Sequence, residues 1–277
     1  MNIAVLSGKG GAGKTFVSVN LSYCLKDAVY VDCDVEEPNG RLFLKPSDVT
    51  KKEVFKLLPR FDKEQCKGCR KCVDFCRFNA LVFIKKKPVL FPEVCHSCMG
   101  CRAVCPIGAV EEEMKPVGIV ESGKRDSLDV ITGILNFGEA SGIPIIKEAL
   151  QLAFSKNKNT VVDCPPGSAC SCMESVEKCD FCILVAEPTA FGFHNFKMVY
   201  ELVTLLGKKC GVVINKSDGE YPPLSLFCQK NNIPVLLDIP YSKDLAEITS
   251  DGKIASEESE EIRDMFYSLI EKIGGVC

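Results

Sequence analysis

The chain has 277 residues, 46% of them apolar, and a net charge of −3: enough for one large α/β domain and a small one, with no excess positive charge to suggest nucleic-acid binding. No run of 18 apolar residues occurs and no apolar leader precedes the first motif, so the expectation is a cytoplasmic protein without a membrane span. Eighteen cysteines in a reducing compartment argue against disulfides and for metal ligation.

In chain order, the apolar run Ile3 to Leu6 reads as a strand, Ser7 to Thr15 (SGKGGAGKT) as a loop, and Phe16 to Leu25 as an amphipathic helix. Gly8, four residues, then Gly13, Lys14 and Thr15 match the P-loop pattern. Its glycines (Gly8, Gly10, Gly11, Gly13) let backbone N–H groups wrap a polyphosphate at a helix N-terminus. Lys14 would reach the β- and γ-phosphates and the Thr15 hydroxyl would sit on Mg²⁺.

Lys9 gives the loop a second lysine, and KGGAGKT resembles the deviant Walker A loop of the MinD/ParA/Mrp family, which includes the nitrogenase iron protein. The resemblance implies ATP as ligand and a nucleotide-sandwich homodimer in which Lys9 reaches the partner's phosphates. An ordinary solvated loop lysine is the alternative.

Ala28 to Val31 reads as a second buried strand ending in Asp32-Cys33-Asp34, at the strand end where doubly wound sheets bind ligands. By the same resemblance Asp34 orients the attacking water and Asp32 lies nearer the Mg²⁺ shell. The plainer reading is a pair of solvated loop acids.

From about Phe61 the texture changes. Cys66, Cys69, Cys72 and Cys76 and then Cys95, Cys98, Cys101 and Cys105 each read C-x2-C-x2-C-x3-C, an internal repeat at an offset of 29 residues that also aligns Ala80 with Ala109 and Leu81 with Val110. This is the run of the bacterial two-cluster ferredoxins, in which the fourth cysteine of each run ligates the other cluster. Cluster I is then expected on Cys66, Cys69, Cys72 and Cys105, and cluster II on Cys95, Cys98, Cys101 and Cys76. Structural zinc is the alternative for any CxxC, and eight cysteines with both x3 spacings speak against it. The second run ends Cys105-Pro106, whereas the first ends Cys76-Arg77. Between Asp62 and Glu113 stand nine Lys/Arg and seven acids, a mildly basic insert suited to an acidic partner, and Lys85, Lys86 and Lys87 read as a solvated hairpin tip.

The α/β pattern resumes with Val117 to Glu121 and Leu128 to Leu135, then a helix near Ile143 to Phe154. The strand Thr160 to Val162 enters Asp163-Cys164-Pro165-Pro166-Gly167, a Walker B and switch II arrangement: Asp163 would hold Mg²⁺ through water and Gly167 would offer its N–H to the γ-phosphate. Cys170 and Cys172 follow. In the nitrogenase iron protein and Mrp-like scaffolds, cysteines near the dimer axis share a cluster between subunits, so this pair is a candidate for a third, bridging cluster; small core thiols are the alternative. Cys179, Cys182, Cys24, Cys33, Cys164, Cys210 and Cys228 read as core.

Phe181 to Val185 reads as a strand and Asn195 to Leu206 as a core-facing helix with His194 near its start. Cys210 to Ile214 is a strand ending in Asn215, which the resemblance assigns to the adenine edge, and Val235 to Ile239 leads into Pro240-Tyr241, whose backbone the same resemblance places at the base pocket. The last helix, Glu257 to Ile273, has an apolar face and an acidic one. Membrane-surface helices carry Lys/Arg instead, so it is expected to pack on the domain.

The expected fold is α/β: a doubly wound, mostly parallel P-loop NTPase sheet (1–60 and 115–277) with a small inserted α+β ferredoxin-like domain (61–114). The expected function is ATP hydrolysis in a homodimer, coupled to electron transfer through two 4Fe-4S clusters toward a redox partner or a metal-cofactor assembly factor, with ATP/ADP and Mg²⁺ as further cofactors. The alternatives are a MinD- or ParA-like spatial-organisation ATPase with a redox-sensing insert, and an iron–sulfur scaffold.

Overall fold

Short β-branched and apolar runs alternate with helical stretches along most of the chain, and the computed structural model, which describes residues 1–276, assembles them into one twisted sheet of nine strands. The strands are β1 (Asn2–Leu6), β2 (Ala28–Asp32), β3 (Ser47–Phe61), β4 (Leu81–Ile84), β5 (Lys87–Leu90), β6 (Val110–Arg125), β7 (Leu128–Leu135), β8 (Asn159–Asp163), β9 (Phe181–Ala186), β10 (Lys209–Ser217) and β11 (Val235–Pro240), of which β4 and β5 form a separate antiparallel hairpin. The helices are α1 (Lys14–Leu25), α2 (Gly40–Leu44), α3 (Lys71–Phe75), α4 (Gly100–Ala103), α5 (Ile143–Ser155), α6 (Cys170–Val176), α7 (Ala190–Leu205), α8 (Pro222–Lys230), α9 (Lys243–Ser250), α10 (Ala255–Glu258) and α11 (Glu260–Val276).

The sheet order is β11-β10-β9-β1-β8-β2-β7-β6-β3. Strands β11 through β7 in that order pair in parallel, and β6 and β3 extend the sheet antiparallel. Strands β1, β2, β8 and β9 are buried almost throughout, as a parallel sheet covered on both faces requires. One core cluster, including Val31, Val162, Leu184 and Phe196, lies on one side. A second, including Ile3, Leu21, Phe181 and Phe266, lies on the other.

Helix α1 departs from the expected amphipathic pattern, because none of its residues is exposed. It is covered by the sheet on one side and by α10 and α11 on the other. Its buried polar groups are satisfied locally: Ser22 Oγ donates to the Ser18 carbonyl at 2.7 Å, and Asn20 Oδ1 accepts from Ser256 N at 2.7 Å. The expected terminal helix is two helices broken at Ser259, whose backbone is extended. Ile262, Phe266, Leu269 and Ile273 are buried against the sheet, so the helix packs on the domain as expected. Cys277, the last residue of the expected ATPase domain, lies outside the described residues. Among the described residues no helix is long and apolar enough to cross a membrane.

Strand β3 had no counterpart among the expected elements. It is a 15-residue, largely exposed edge strand that carries three lysines, and it shows little apolar alternation. It pairs with β6 from Ser47↔Lys124 to Phe61↔Val110, and this ribbon carries the cysteine-rich lobe at its far end. The internal repeat is written into the lobe's backbone. Positive φ angles recur 29 residues apart at Gly68 and Ser97, Arg70 and Met99, and Asn79 and Gly108, with α3 and α4 starting after the middle pair. Asp62 N donates to the Ala109 carbonyl and Phe91 N to that of Ala80, tying the two halves to equivalent positions.

Candidate functional site

Five parallel strands end at one edge of the sheet, each delivering a residue to it: β1 leads to Ser7, β2 to Asp32, β8 to Asp163, β9 to Glu187 and β10 to Asn215. A cavity of about 790 Å³ opens there, its wall including Lys9, Gly10, Gly11, Gly13, Lys14, Thr15, Asp34 and Asn215. Gly13 adopts φ 95°, and a Cβ there would come within 2.0 Å of Asn215 Nδ2, so both the turn and the close approach require glycine. Helix α1 starts at Lys14 with no side-chain cap, which leaves its first-turn N–H groups open to an anion. Gly8 stands outside the cavity wall, packed against the backbone of Asn195 in α7.

Lys14, Asp32, Asp34 and Asp163 are brought together. The Lys14 ammonium donates to Asp163 Oδ1 at 2.7 Å and lies 3.6 Å from Asp34 Oδ2. Burial opposes its charge, but Asp163, Asp34 and Asp32 outweigh that and hold it protonated above the usual lysine range. Asp34 sits on the cavity wall, and burial raises its carboxyl against the pull of Lys14. Asp32 and Asp163 are fully buried behind the wall. Asp32 accepts from Asp34 N at 3.1 Å and Gly40 N at 3.0 Å; burial, then the neighbouring Asp163, push it up to about 7. Both acids therefore hold protein groups here, and a role at Mg²⁺ requires Lys14 to move from Asp163 to the phosphates.

Tyr30, in β2, was not among the expected site residues. Its buried hydroxyl donates to Asp163 Oδ2 at 2.9 Å and lies 3.3 Å from Asp32 Oδ2. The signal was available: a lone tyrosine in the apolar run AVYVD, two residues before Asp32 and therefore on the same strand face.

The remaining positions sit apart from this network. Lys9 pairs with Glu187 and lies 5.3 Å from the centre of the Phe191 ring. Glu187 also binds Lys216 at 2.7 Å, and Lys216 donates to the Gly11 carbonyl at 2.7 Å. Glu187, Phe191 and Lys216 were missed because their roles depend on contacts between distant loops. Asn215 Nδ2 donates to the Ala12 carbonyl at 2.9 Å, steadying the loop from below, while Pro240, Tyr241 and Leu245 form the opposite wall. Gly167 is not on the wall, and its N–H donates to the Ser7 carbonyl at 2.9 Å. The γ-phosphate contact expected of it needs that bond to open.

Cys170 is exposed at the start of α6, whereas Cys172 is fully buried among core side chains, with burial pushing its thiol up to about 12. The expected bridging pair thus consists of one exposed and one buried cysteine in this chain. Cys24, Cys33, Cys164, Cys179, Cys182 and Cys228 are buried as expected, and Cys210 is half-buried. His194 lies inside α7, whose first turn is capped by the Thr189 hydroxyl accepting from Gly192 N at 3.0 Å.

In the lobe, Cys76, Cys95, Cys98 and Cys101 line one cavity of about 220 Å³, together with Phe75, Phe78, Leu81 and Met99. These are the four cysteines the spacing assigns to cluster II. Burial raises the Cys101 thiol to about 11, and Cys95 and Cys98 are close enough to add to the shift. On the other half burial raises Cys72, again with help from its neighbours Cys66 and Cys69. Cys72 and Cys105 both pack on the small core of Leu81, Cys101 and Val110. Lys87 corrects the expected solvated tip: only Lys85 and Lys86 turn the hairpin, and the Lys87 ammonium donates to the carbonyls of Lys63 at 2.7 Å and Cys66 at 2.5 Å.

Comparison with known proteins adds five findings. The family profile described as the CobQ/CobB/MinD/ParA nucleotide binding domain matches residues 3–255. An uncharacterised protein of Methanocaldococcus jannaschii is 27% identical over 284 residues, covering 99% of this chain and 98% of its own. An uncharacterised ferredoxin of that organism is 34% identical over 69 residues, 24% of this chain and 83% of its own. Among solved structures, the cell division ATPase MinD of Pyrococcus furiosus matches with a TM-score of 0.62 at 21% identity over 100% of this chain and 99% of its own. MinD of Pyrococcus horikoshii complexed with Mg-ADP matches with a TM-score of 0.62 at 19% identity, covering 98% and 95%. These structural likenesses establish the fold.

Proposed function

The chain belongs to the CobQ/CobB/MinD/ParA nucleotide-binding family, and on that premise we propose that it hydrolyses ATP in a homodimer and couples this switch to electron transfer through two 4Fe-4S clusters held by its inserted lobe. The observation that carries the reading is the lobe's cavity, walled by all four cysteines that the spacing assigns to one cluster and joined to the nucleotide edge of the sheet by the β3–β6 ribbon. The donor set fits the group: eight unpaired thiols in two repeats. The two C-x2-C-x2-C-x3-C runs have the spacing of two-cluster ferredoxins, which favours clusters over zinc. When bound, such clusters supply one-electron carriers of low potential. The exposed Phe75, Phe78, Phe91 and Val94 beside them offer an apolar rim to a redox partner protein.

At the nucleotide site, Gly10 and Gly11 leave room for phosphates, and Lys14 exchanges Asp163 for the phosphoryl oxygens. Asp163 and Thr15 are then free to serve Mg²⁺, directly or through water. Asp34, on the cavity wall, then orients the attacking water. Lys9 leaves Glu187 and reaches across the dimer to the partner's nucleotide, neutralising charge that develops there. In sedimentation velocity the wild type is expected to dimerise with MgATP under slow turnover and to stay monomeric with MgADP. Lys9→Ala is expected to remain monomeric in both. A variant that dimerises like the wild type would remove Lys9 from the interface.

A further inference from the structure

Between the nucleotide edge and the lobe stands an ionic node that neither site absorbs. Lys56 in β3 and Lys115 in β6 face each other directly across the antiparallel ladder, a like-charge pairing that destabilises a ribbon unless something neutralises it. Glu139, in the 136–142 loop between β7 and α5, binds both: Oε2 accepts from Lys56 Nζ at 2.7 Å and Oε1 lies 2.5 Å from Lys115 Nζ. The Glu139 and Lys56 side chains are each only 8% exposed, unusual for an ion pair at a ribbon edge. The two lysines hold the Glu139 carboxyl below the usual range.

Each end of the node touches one of the two sites. Lys56 Nζ also donates to the carbonyl of Pro92 at 3.4 Å, three residues before Cys95. On the other side, the strand and loop that carry Glu139 are keyed to Val35, the residue after Asp34. Leu135 N donates to the Val35 carbonyl at 2.8 Å. Gly133 and Gly142 pack so closely on the Val35 side chain that a Cβ would come within 2.6 Å and 2.3 Å of it. A displacement of the Asp34–Val35 segment therefore presses on the Glu139 loop through packed atoms, not through solvent.

We propose that Glu139 is the positioning residue that carries the state of the nucleotide site to the cysteine lobe, with the Glu139–Lys56–Pro92 link setting the pose of the Cys95 segment. This rests on the coupling proposed above and adds the element through which coupling acts. In this proposal the link alternates between Glu139 shared by both lysines, as here, and Glu139 held by Lys115 alone with Lys56 and the Pro92 segment released. A two-state element biased from one end is what transmission between separated sites requires.

The test uses anaerobically purified full-length protein and reads the midpoint potentials and reduced EPR spectrum of the clusters, without nucleotide and with MgADP or MgATP. Two variants sever the link differently. Glu139→Gln removes the charge shared by the lysines, and Lys56→Met keeps the aliphatic stem and the Glu139–Lys115 pair while deleting the bond to Pro92. The expected result is a nucleotide-dependent shift in the wild type that is lost in both variants, with iron content and ATP turnover unchanged. Variants that shift like the wild type would overturn the role of Glu139 and leave the coupling standing. Absence of any shift in the wild type would overturn the coupling itself, and the inference with it. Loss of iron in both variants would make the node a structural clamp and overturn the inference alone.

Discussion

The Cys101→Ala protein, purified anaerobically, is expected to hold about four irons per chain where the wild type holds about eight, and to lose one of two EPR signals on reduction. Cys101 is the most buried of the eight cysteines in the two runs and shares its cavity with Cys76, Cys95 and Cys98, so its loss leaves one cluster with three ligands. The other four, Cys66, Cys69, Cys72 and Cys105, are expected to keep their cluster. A retained signal reports that the lobe still folds, because Cys105 and Cys101 belong to the same small core. Zinc in place of iron, or eight irons retained by the variant, would contradict the ligand assignment.

Lys14→Met is expected to lower ATP turnover by about 10²–10³-fold, the effect of removing one charged group from a developing phosphoryl charge. The lysine is 6% exposed and bonded to Asp163 without nucleotide, so it is already positioned at the phosphate loop. Its removal also leaves Asp32, Asp34 and Asp163 without their cation. The apo protein should therefore unfold at lower temperature in neutral than in mildly acidic buffer, where Asp32 and Asp34 take up protons. The direction follows from sign: burial raises Asp32 to about 7 from its ordinary 3.8, so the folded form binds the extra proton between those values and loses stability as pH rises through them. Iron content should stay that of the wild type, which separates a lost nucleotide function from a lost fold. Unchanged turnover would place the phosphate contact elsewhere.

What the sequence made legible was local. The P-loop, the two cysteine runs and the strands ending in Asp32, Asp163 and Asn215 are short patterns whose chemistry depends on neighbours a few residues away, and the structure has each at the sheet edge or in the lobe. What escaped was long-range. Tyr30 joins Asp32 to Asp163 across two strands, Glu187 gathers Lys9 and Lys216 from separate loops, and Glu139 draws in lysines from a ribbon whose outer strand had no apolar rhythm to betray it. Helix α1 misled because its polar residues are satisfied inside the protein instead of in water. Cys170 and Cys172 differ in a way the C-x-C spacing does not reveal: on α6 the first is exposed and the second is buried.

The central claim is that nucleotide and clusters act on one another within this chain. The most direct measurement is the EPR spectrum of the dithionite-reduced, anaerobically purified wild type, recorded without nucleotide and with MgATP at matched protein concentration. Two interacting 4Fe-4S signals whose shape or reducibility changes on adding MgATP are the predicted result. Signals that are present and indifferent to MgATP, or no iron–sulfur signal in protein that still hydrolyses ATP, would contradict it.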